Sequence, residues 1–437
     1  MTDNIHEADI IVGNISKKGR ALFELRHRQL QTDPVEAAGA ADLPQNSQKR
    51  RRNSATAGSE LTALLADIND PGIELFGGPG SACYRSRPGP VQIIGVRAYS
   101  TLIATILAYP FAIVSPQEIT RLPGCGSKVA ELWHEWKESG RLREVDEAHG
   151  DPKLSVLQAF YDIWGVGDAT ARDFYNKGWR DLDDVVDFGW QSLSRAQQIG
   201  VKFYDEFKLK IQRDEVEAIA EDILKHARNF SPDFQMVIVG GYRRGKQDSG
   251  DVDVIISHPD ESATLNFVDK LVLSLEKSRR VTHTLSLSTH NSQRGQRPVS
   301  WRGNERRGSG FDTLDKALVV WQEPLRDADD RISLEKGRAC QAPHRRVDII
   351  VSPWKTVGCA LLGWSGETTF QRDLRRYCKK ERGLRFDSSG IRSRLDGTWV
   401  NFEGGDGGTA QDMLTAEKRV FDGLGLRFVD PYNRCTG

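Results

Sequence analysis

The chain has 437 residues, which is enough for two to four compact units. Lys plus Arg equals Asp plus Glu at 61 residues each, so the overall charge indicates no particular class of partner. The sequence has no apolar run long enough to span a membrane, no signal peptide and no paired cysteine motif. These features argue against a membrane protein and against a small fold held together by disulfides. We expect a soluble intracellular protein with reduced thiols.

The first 57 residues predict a short ordered segment followed by a linker. Residues 8–12 are typical of a strand and residues 17–30 of a basic amphipathic helix. Residues 37–60 are rich in Ala, Ser, Asn and Gln, which is typical of a flexible linker. Within that linker the basic run KRRR (residues 49–52) is interpreted either as a nuclear import signal or as an ordinary solvated run.

Helical periodicity follows in residues 97–108, 116–121 and 128–137. LPGCGSKVA (residues 122–130) lies between the last two, and IWGVGDATA (residues 163–171) repeats its pattern. Both predict a helix-hairpin-helix, in which glycines allow a tight turn and the first amides of the next helix face a DNA phosphate; a plain turn between helices is the alternative. Such a motif grips backbone without reading bases, and the candidate DNA contacts are Gly124, Gly126, Lys128, Gly165 and Gly167.

Glycines, cationic residues and closely spaced aspartates, which together suggest a catalytic site, occur in GGYRRGKQDSGDVDVII (residues 240–256). It joins two apolar runs, residues 236–239 and 252–256, and therefore predicts a strand, a glycine-rich turn with a short helix, and a second strand. Side chains alternate along a strand, so Asp251 and Asp253 point to one face. Two adjacent carboxylates suit a hard divalent ion such as Mg²⁺. The cationic, glycine-rich turn before them suits phosphate, so the stretch predicts metal-assisted phosphoryl chemistry.

A third acid, Asp348, lies in the β-branched run RRVDIIV (residues 345–351), where an unpartnered carboxylate is rare. Three converging carboxylates would hold two metal ions, one acting on a 3′-hydroxyl and the other on a triphosphate. Residues 336–394 contain 14 Lys or Arg against 5 Asp or Glu. Next to a metal site this local excess favours phosphate binding over an ordinary solvated face.

Residues 240–253 and HRRVD (residues 344–348) resemble the palm of the family X DNA polymerases, the beta, lambda, mu and terminal-transferase group, and later segments resemble its fungal members. The resemblance runs from about residue 61 to the C-terminus. It implies an α+β fold: a hand-like nucleotidyltransferase palm with a mixed sheet and helices, two helical helix-hairpin-helix domains before it, and a small α/β thumb-type subdomain after it. It also implies that the catalytic residues, holding two Mg²⁺ or Mn²⁺ ions, are Asp251, Asp253 and Asp348.

The same resemblance assigns the nucleotide and DNA contacts. The residues that match triphosphate-binding positions are Arg213, Gly241, Arg244, Ser249 and Gly250, with Gly241 standing where beta and lambda carry a serine. Those that match sugar and base positions are Gly363, Trp364, Gly366 and Gln371, and Arg346 and Arg375 match DNA-facing positions. The Gly363–Trp364 pair resembles that of mu and terminal transferase, which lacks the bulk that excludes a 2′-hydroxyl in beta. Tolerance of ribonucleotides is therefore a further hypothesis.

Two further expectations concern the helical domains. The first resembles the family's 5′-deoxyribose-phosphate lyase domain, but Leu132 occupies the place of the Schiff-base lysine and offers no amine, so we expect weak or absent lyase activity. In the second, the resemblance implies a monovalent cation bound by the main-chain carbonyls of Tyr161, Ile163 and Val166.

The polar residues 290–310 predict a long loop between two strands, either a disordered insertion or the family's "loop 1", which lies where a template strand is missing. Template-independent relatives carry a histidine where this chain has Gly250, which favours template-directed synthesis. Two alternatives remain open: a template-independent terminal transferase, and a non-catalytic scaffold that bridges DNA ends. A second, charged insertion covers residues 326–342.

The predicted organisation has five segments: residues 1–57, a partial BRCT-like remnant with the basic linker; 58–149, the lyase-type helical domain; 150–213, the second helix-hairpin-helix subdomain; 214–355, the palm; and 356–437, a nucleotide-selection subdomain. We expect a monomeric nuclear polymerase that fills gaps or extends broken ends in base excision repair or end joining. Its expected partners are gapped or broken double-stranded DNA, deoxynucleoside triphosphates and end-joining factors, with no membrane.

Overall fold

A computed structural model describes residues 90–109, 111–297, 313–324, 342–404 and 408–434, without the side chains of residues 90–97. The expectations for residues 1–57, and for most of both insertions, lie outside the described residues. Within the described part of the chain, no helix is both long and apolar enough to cross a membrane.

The helices predicted from periodicity before residue 140 are confirmed as α1 to α3. In chain order the helices are α1 (Pro90–Ala108), α2 (Pro116–Thr120), α3 (Ser127–Ser139), α4 (Arg143–His149), α5 (Pro152–Tyr161), α6 (Asp168–Asn176), α7 (Leu182–Asp184), α8 (Arg195–Lys202), α9 (Tyr204–Phe207), α10 (Arg213–Arg228), α11 (Gly240–Arg243), α12 (Glu261–Thr264), α13 (Phe267–Lys277), α14 (His290–Gln293), α15 (Val357–Trp364), α16 (Thr368–Lys380) and α17 (Met413–Gly423). A π-helical turn (Val185–Gly189) follows α7, and 3₁₀ turns cover Trp190–Ser192, Trp354–Thr356 and Pro431–Arg434.

The strands build a mixed five-stranded sheet and two smaller antiparallel ones. In chain order they are β1 (Ile211–Gln212), β2 (Gln235–Ile238), β3 (Asp248–Ser249), β4 (Val252–Ser257), β5 (Val281–Ser288), β6 (Asp315–Trp321), β7 (Arg345–Val351), β8 (Leu384–Asp387), β9 (Gly390–Ser393) and β10 (Trp399–Val400). The main sheet has the order β2-β4-β7-β6-β5, with β4 and β7 parallel and the other pairs antiparallel. β1 pairs with β3, and β10-β9-β8 form the third sheet. The predicted strand, turn with a short helix, and second strand are confirmed as β2, α11 and β4.

The two faces of the main sheet have different covers. On one face Val252, Val254 and Ile256 share a buried core with apolar residues of α10 and α13. On the other, Ile255 and Ile350 pack with residues of α15 and α17. Because side chains alternate along a strand, Asp253 and Asp348 lie on this second face.

The described residues divide into two compact units, one comprising residues 90–92 and 132–202 and the other residues 93–131 and 203–434. The first unit has an aromatic core in which the rings of Phe160 and Phe174 meet edge-on, with centroids 5.7 Å apart. In the second unit a C-terminal core joins α15, α16 and α17 to the β8–β9 hairpin. The predicted α+β class is confirmed.

Candidate active site

The three aspartates predicted as metal ligands converge. Asp253 on β4 lies directly opposite Asp348 on β7 in the parallel register, and Asp251 immediately precedes β4. One carboxylate oxygen of each lies within 4.8 Å of those of the other two, and all three residues are half-buried. Oxygen donors in this number and proximity are compatible with a divalent metal ion.

Gly240 makes room for this cluster. Its backbone has φ +61°, and an added Cβ would lie 1.9 Å from Oδ2 of Asp253, so a larger residue could not stand here without displacing that carboxylate. The amide of Val239 donates to the carbonyl of Asp253 at 2.8 Å and continues the β2–β4 pairing up to this point. The glycine-rich turn therefore leaves room for the carboxylate of Asp253, in addition to any role in binding phosphate.

The electrostatics of the cluster favour a bound cation. Burial raises the pKa of Asp253 well above its usual range, and the negative charges of Asp251 and Asp348 raise it further. Arg346 and Arg244 act in the opposite direction, and Arg346 contacts the carboxylate of Asp251 directly. A cation among the three carboxylates would relieve their mutual repulsion.

Arg213, predicted to contact a triphosphate, holds the glycine-rich turn of residues 240–250 in this structure. Its Nη1 donates to the carbonyls of Tyr242 at 2.9 Å and Lys246 at 3.0 Å, and its guanidinium stacks 3.7 Å above the Tyr242 ring. The Tyr242 hydroxyl in turn donates to Glu217 at 2.6 Å. These contacts fix the turn in space; a direct contact between Arg213 and a nucleotide remains a prediction.

The other predicted triphosphate residues lie on the same turn or just after it. Gly241 belongs to α11, Arg244 follows that helix, and Ser249 is buried in β3. Gly250 has open space around it: an added Cβ would meet no atom within 4 Å. Their roles toward a nucleotide remain predictions.

The predicted sugar and base residues lie at the junction of α15 and α16. Gly363 and Trp364 end α15, and the ammonium of Lys316 lies 5.9 Å from the centre of the indole. Gln371 on α16 is buried and donates from Nε2 to the carbonyl of Leu362 at 2.6 Å. Among the described residues, no hydrogen-bond partner faces the buried Nε1 of Trp364 or Oε1 of Gln371.

Gly366 lies just before α16, and Arg375 belongs to that helix. An added Cβ on Gly366 would lie 2.4 Å from the Phe370 ring, so the turn before α16 closes tightly. Arg375 donates from Nε to the carbonyl of Gln371 at 3.0 Å, and burial lowers the pKa of its guanidinium. Contacts of Gly366 with a nucleotide and of Arg375 and Arg346 with DNA remain predictions.

Both predicted hairpins have the expected local geometry. Gly124 with φ +81° lies between α2 and α3, and Gly165 with φ +87° lies between α5 and α6, so each turn uses a conformation that L side chains rarely adopt. Gly126 precedes α3, which contains Lys128, and Gly167 caps α6. Their contacts with DNA remain predictions.

The cation expectation concerns the second hairpin, and the lyase expectation concerns α3, which follows the first hairpin. In the second hairpin the amide of Val166 donates to the carbonyl of Ile163 at 2.9 Å, both side chains are buried, and Tyr161 is partly exposed. The cation at these carbonyls remains a prediction. Leu132 is 2% exposed and belongs to the core of α3, where its side chain offers no nucleophile.

Sequence reasoning missed two groups of residues around the turn. Glu367 lies within ion-pairing distance of both Arg244 and Lys246. Arg243 pairs at 2.7 Å with Glu417, which is fully buried and also pairs with Arg434. A carboxylate directly after GWSG was a visible signal for Glu367, whereas nothing local indicates that residues 174 positions apart are partners.

Three family models match consecutive parts of the chain: the fingers domain of DNA polymerase lambda over residues 158–208, the DNA polymerase beta palm over 210–354, and the DNA polymerase beta thumb over 360–435. The chain is 32% identical over 349 residues to the DNA polymerase type-X family protein pol4 of Schizosaccharomyces pombe, covering 79% of this chain and 61% of that relative. It is 30% identical to DNA polymerase lambda of Arabidopsis thaliana, covering 77% and 57% of the two chains. It is 26% identical to a DNA nucleotidylexotransferase of Homo sapiens, covering 76% and 61%. The chain thus spans about 60% of the length of these relatives.

Proposed function

Because the chain belongs to the family X DNA polymerases, we propose that it is a DNA-directed DNA polymerase that adds deoxynucleotides to a 3′-hydroxyl in short gaps or at broken ends during DNA repair. The observation that carries this proposal is the register that sets Asp253 opposite Asp348, with Asp251 within reach of both. The presence of all three carboxylates, with oxygens within 4.8 Å of one another, argues against a scaffold without catalytic activity.

The chain's own residues would act mainly by alignment and charge. Asp251, Asp253 and Asp348 would hold two Mg²⁺ or Mn²⁺ ions, which when bound make the 3′-hydroxyl more acidic and neutralise charge on the triphosphate. Asp348 would accept the proton of the 3′-hydroxyl or orient that hydroxyl. The hydroxyl oxygen would then attack the α-phosphorus while pyrophosphate leaves in line. Arg244 on the turn would bind the triphosphate, and Arg213 would keep the turn in place.

Template-independent addition is the second candidate activity. Gly363–Trp364 and the similarity to a nucleotidylexotransferase support it, whereas Gly250 in place of a histidine favours copying of a template. The small Gly363 beside the indole also supports tolerance of ribonucleotides. Addition of dGTP and GTP at similar rates on one gapped substrate would agree with that tolerance, and a thousandfold preference for dGTP would exclude it.

The two hairpins would hold DNA through its backbone, and the second hairpin would bind a monovalent cation. Lyase activity would be weak or absent because Leu132 is an apolar core residue. The action of such an enzyme on chromosomal breaks or damaged bases places it in the nucleus. Binding to end-joining factors and a monomeric state complete the proposal.

The deciding experiment is primer extension on DNA with a one-nucleotide gap and a 5′-phosphate, in Mg²⁺ and in Mn²⁺, beside an unpaired single strand. We expect templated addition by the wild type, its loss in Asp348→Asn, and wild-type addition by Asp373→Asn, which removes an exposed carboxylate from α16 instead. Addition confined to the single strand would favour the transferase. DNA binding without addition to either substrate would refute both activities.

A further inference from the structure

We propose that Glu367 is an internal anion of the triphosphate pocket: it occupies Arg244 and Lys246 until a nucleotide displaces it, and it thereby lowers the affinity of the pocket for every phosphate ligand that uses these two cations. This inference rests on the proposed function, since it concerns the same pocket. It adds a residue that sets nucleotide affinity, for which the metal site and the turn alone give no reason.

The contacts of Glu367 resemble those of a phosphate oxygen. Its Oε1 lies 3.3 Å from Nζ of Lys246 and 3.5 Å from Nε of Arg244, so one oxygen faces both cations of the turn. The Glu367 side chain is 16% exposed and that of Arg244 is 13% exposed, whereas Lys246 is 55% exposed. The pair with Arg244 is therefore sheltered from solvent, which screens it less than a surface pair.

Helix capping does not account for the orientation of Glu367. It stands at the N-cap of α16, where the side chain of an aspartate, asparagine, serine or threonine would accept from the first amides of the helix, and its own side chain makes no such bond. Its backbone is held on both sides, because its amide donates to the carbonyl of Arg434 at 3.1 Å and its carbonyl accepts from Gln371 at 2.9 Å. The carboxylate instead faces Arg244 and Lys246 of the glycine-rich turn.

Gly241 shapes the same pocket. An added Cβ at this position would lie 3.2 Å from Cδ of Lys246, which is tighter than an ordinary contact. A bare glycine therefore lets the lysine stem lie across the turn and bring its ammonium to Glu367. The missing hydroxyl at Gly241 and the carboxylate at Glu367 are parts of one arrangement.

A ligand must replace this internal ion pair in order to bind. Every phosphate ligand that takes the two cations bears the same cost of breaking this pair, and a more highly charged ligand is also repelled more strongly by the displaced carboxylate. Glu367 would therefore weaken binding of tripolyphosphate at least as much as binding of pyrophosphate. One consequence for turnover is easier release of pyrophosphate.

The test compares Glu367→Gln, which keeps the shape and removes the charge, with Asp373→Asn, which removes an exposed charge from the same helix. Titration calorimetry on the free protein would use tripolyphosphate and pyrophosphate with Mg²⁺. A second titration would use dGTP on gapped DNA with a dideoxy-terminated primer. We expect Glu367→Gln to bind tripolyphosphate and pyrophosphate about 2- to 5-fold more tightly, with a gain for tripolyphosphate at least as large as that for pyrophosphate. We also expect it to lower KM for dGTP more than it changes kcat, and Asp373→Asn to match the wild type.

Unchanged or weaker binding by Glu367→Gln would overturn the inference, as would an equal gain in Asp373→Asn, which would reveal a general charge effect. A larger gain for pyrophosphate than for tripolyphosphate would also overturn the inference, because the smaller ligand cannot lose more to the displaced carboxylate than the larger one. The calorimetry on free protein needs no polymerase activity. A wild type that fails to extend primers while Glu367→Gln still gains affinity for tripolyphosphate would therefore sink the proposed function and leave the role of Glu367 standing.

Discussion

At the scale of single residues, Asp253 is the aspartate of the three-carboxylate cluster against which the backbone of Gly240 lies, so its carboxylate has little room to move. Gly240→Ala would add a Cβ 1.9 Å from Oδ2 and force a left-handed φ on an L residue. We expect the carboxylate to move by an ångström or more, which lowers kcat for gap filling about 100-fold, and the backbone strain to cost about 1–2 kcal/mol of unfolding free energy. Primer extension and denaturant unfolding measure the two effects separately.

Gly383→Ala is the matched control, since Gly383 has the same φ of +61° but open space where the Cβ would stand. Both variants should lose a similar amount of stability, and Gly240→Ala alone should lose activity. Similar activity losses in both variants would mean that general destabilisation, and not displacement of Asp253, explains the effect.

Leu132 leads to a second prediction at this scale. A Schiff base requires a primary amine, and this side chain is an apolar part of the α3 core that is 2% exposed. On gapped DNA with a 5′-deoxyribose phosphate, borohydride should trap no protein–DNA adduct, while the same preparation extends the primer. A trapped adduct would show that another lysine supplies the amine, and peptide mapping of the adduct would identify it.

At the scale of secondary-structure elements, the start of α15 depends on a buried acid from a distant loop. Glu403 accepts hydrogen bonds from the amides of Gly358 at 2.7 Å and Cys359 at 3.0 Å. These bonds favour the ionised carboxylate, but burial outweighs them and raises its pKa to about 8. Between its ordinary pKa of 4.5 and about 8, the folded state therefore holds a proton that the unfolded state has released.

The stability that Glu403 contributes should consequently fall as pH rises through this window, by about 1.4 kcal/mol per pH unit at most. Glu403→Gln cannot titrate, so the unfolding free energy of the wild type minus that of the variant should fall from pH 5.5 to pH 8.5. Glu381→Gln, which changes an exposed glutamate at the end of α16, should follow the wild type throughout. Denaturant unfolding at several pH values measures this signed difference, and a difference that rises with pH would contradict the prediction.

Elements also mark the limit of what the sequence predicts. The strands β4 and β7 and their acids are predictable because period-two alternation and β-branched composition are local signals. The register that sets Asp253 opposite Asp348 is not local, since it depends on how a crossover of 95 positions packs. For the same reason the partners of Glu367 and Arg243 could not be predicted. The predicted polar loop also differs in its first residues, which form the short helix α14. The amides of this helix donate to the buried carboxylate of Asp315, a residue that is distant in the sequence.

At the scale of the whole molecule, a chain with 61 basic and 61 acidic residues offers no net positive charge to a polyanion, so the DNA binding that we propose would depend on local arrangements of charge. Lys128, in the first turn of α3, should be one of these, because the hairpin before it sets amides and ammonium toward a phosphate. Lys128→Gln should weaken binding to gapped DNA about equally for all sequences and reduce the slope of log affinity against log salt by about 1.

Lys137→Gln provides the comparison, because it removes an exposed lysine from the last turn of the same helix, away from the hairpin. Fluorescence anisotropy at four or more salt concentrations distinguishes the two variants. If both change the slope equally, DNA responds to the summed charge of the helix. If only Lys128→Gln changes the slope, the hairpin holds a specific phosphate. A molecule without net charge would then bind a polyanion by concentrating its cations at the few positions where the backbone turns.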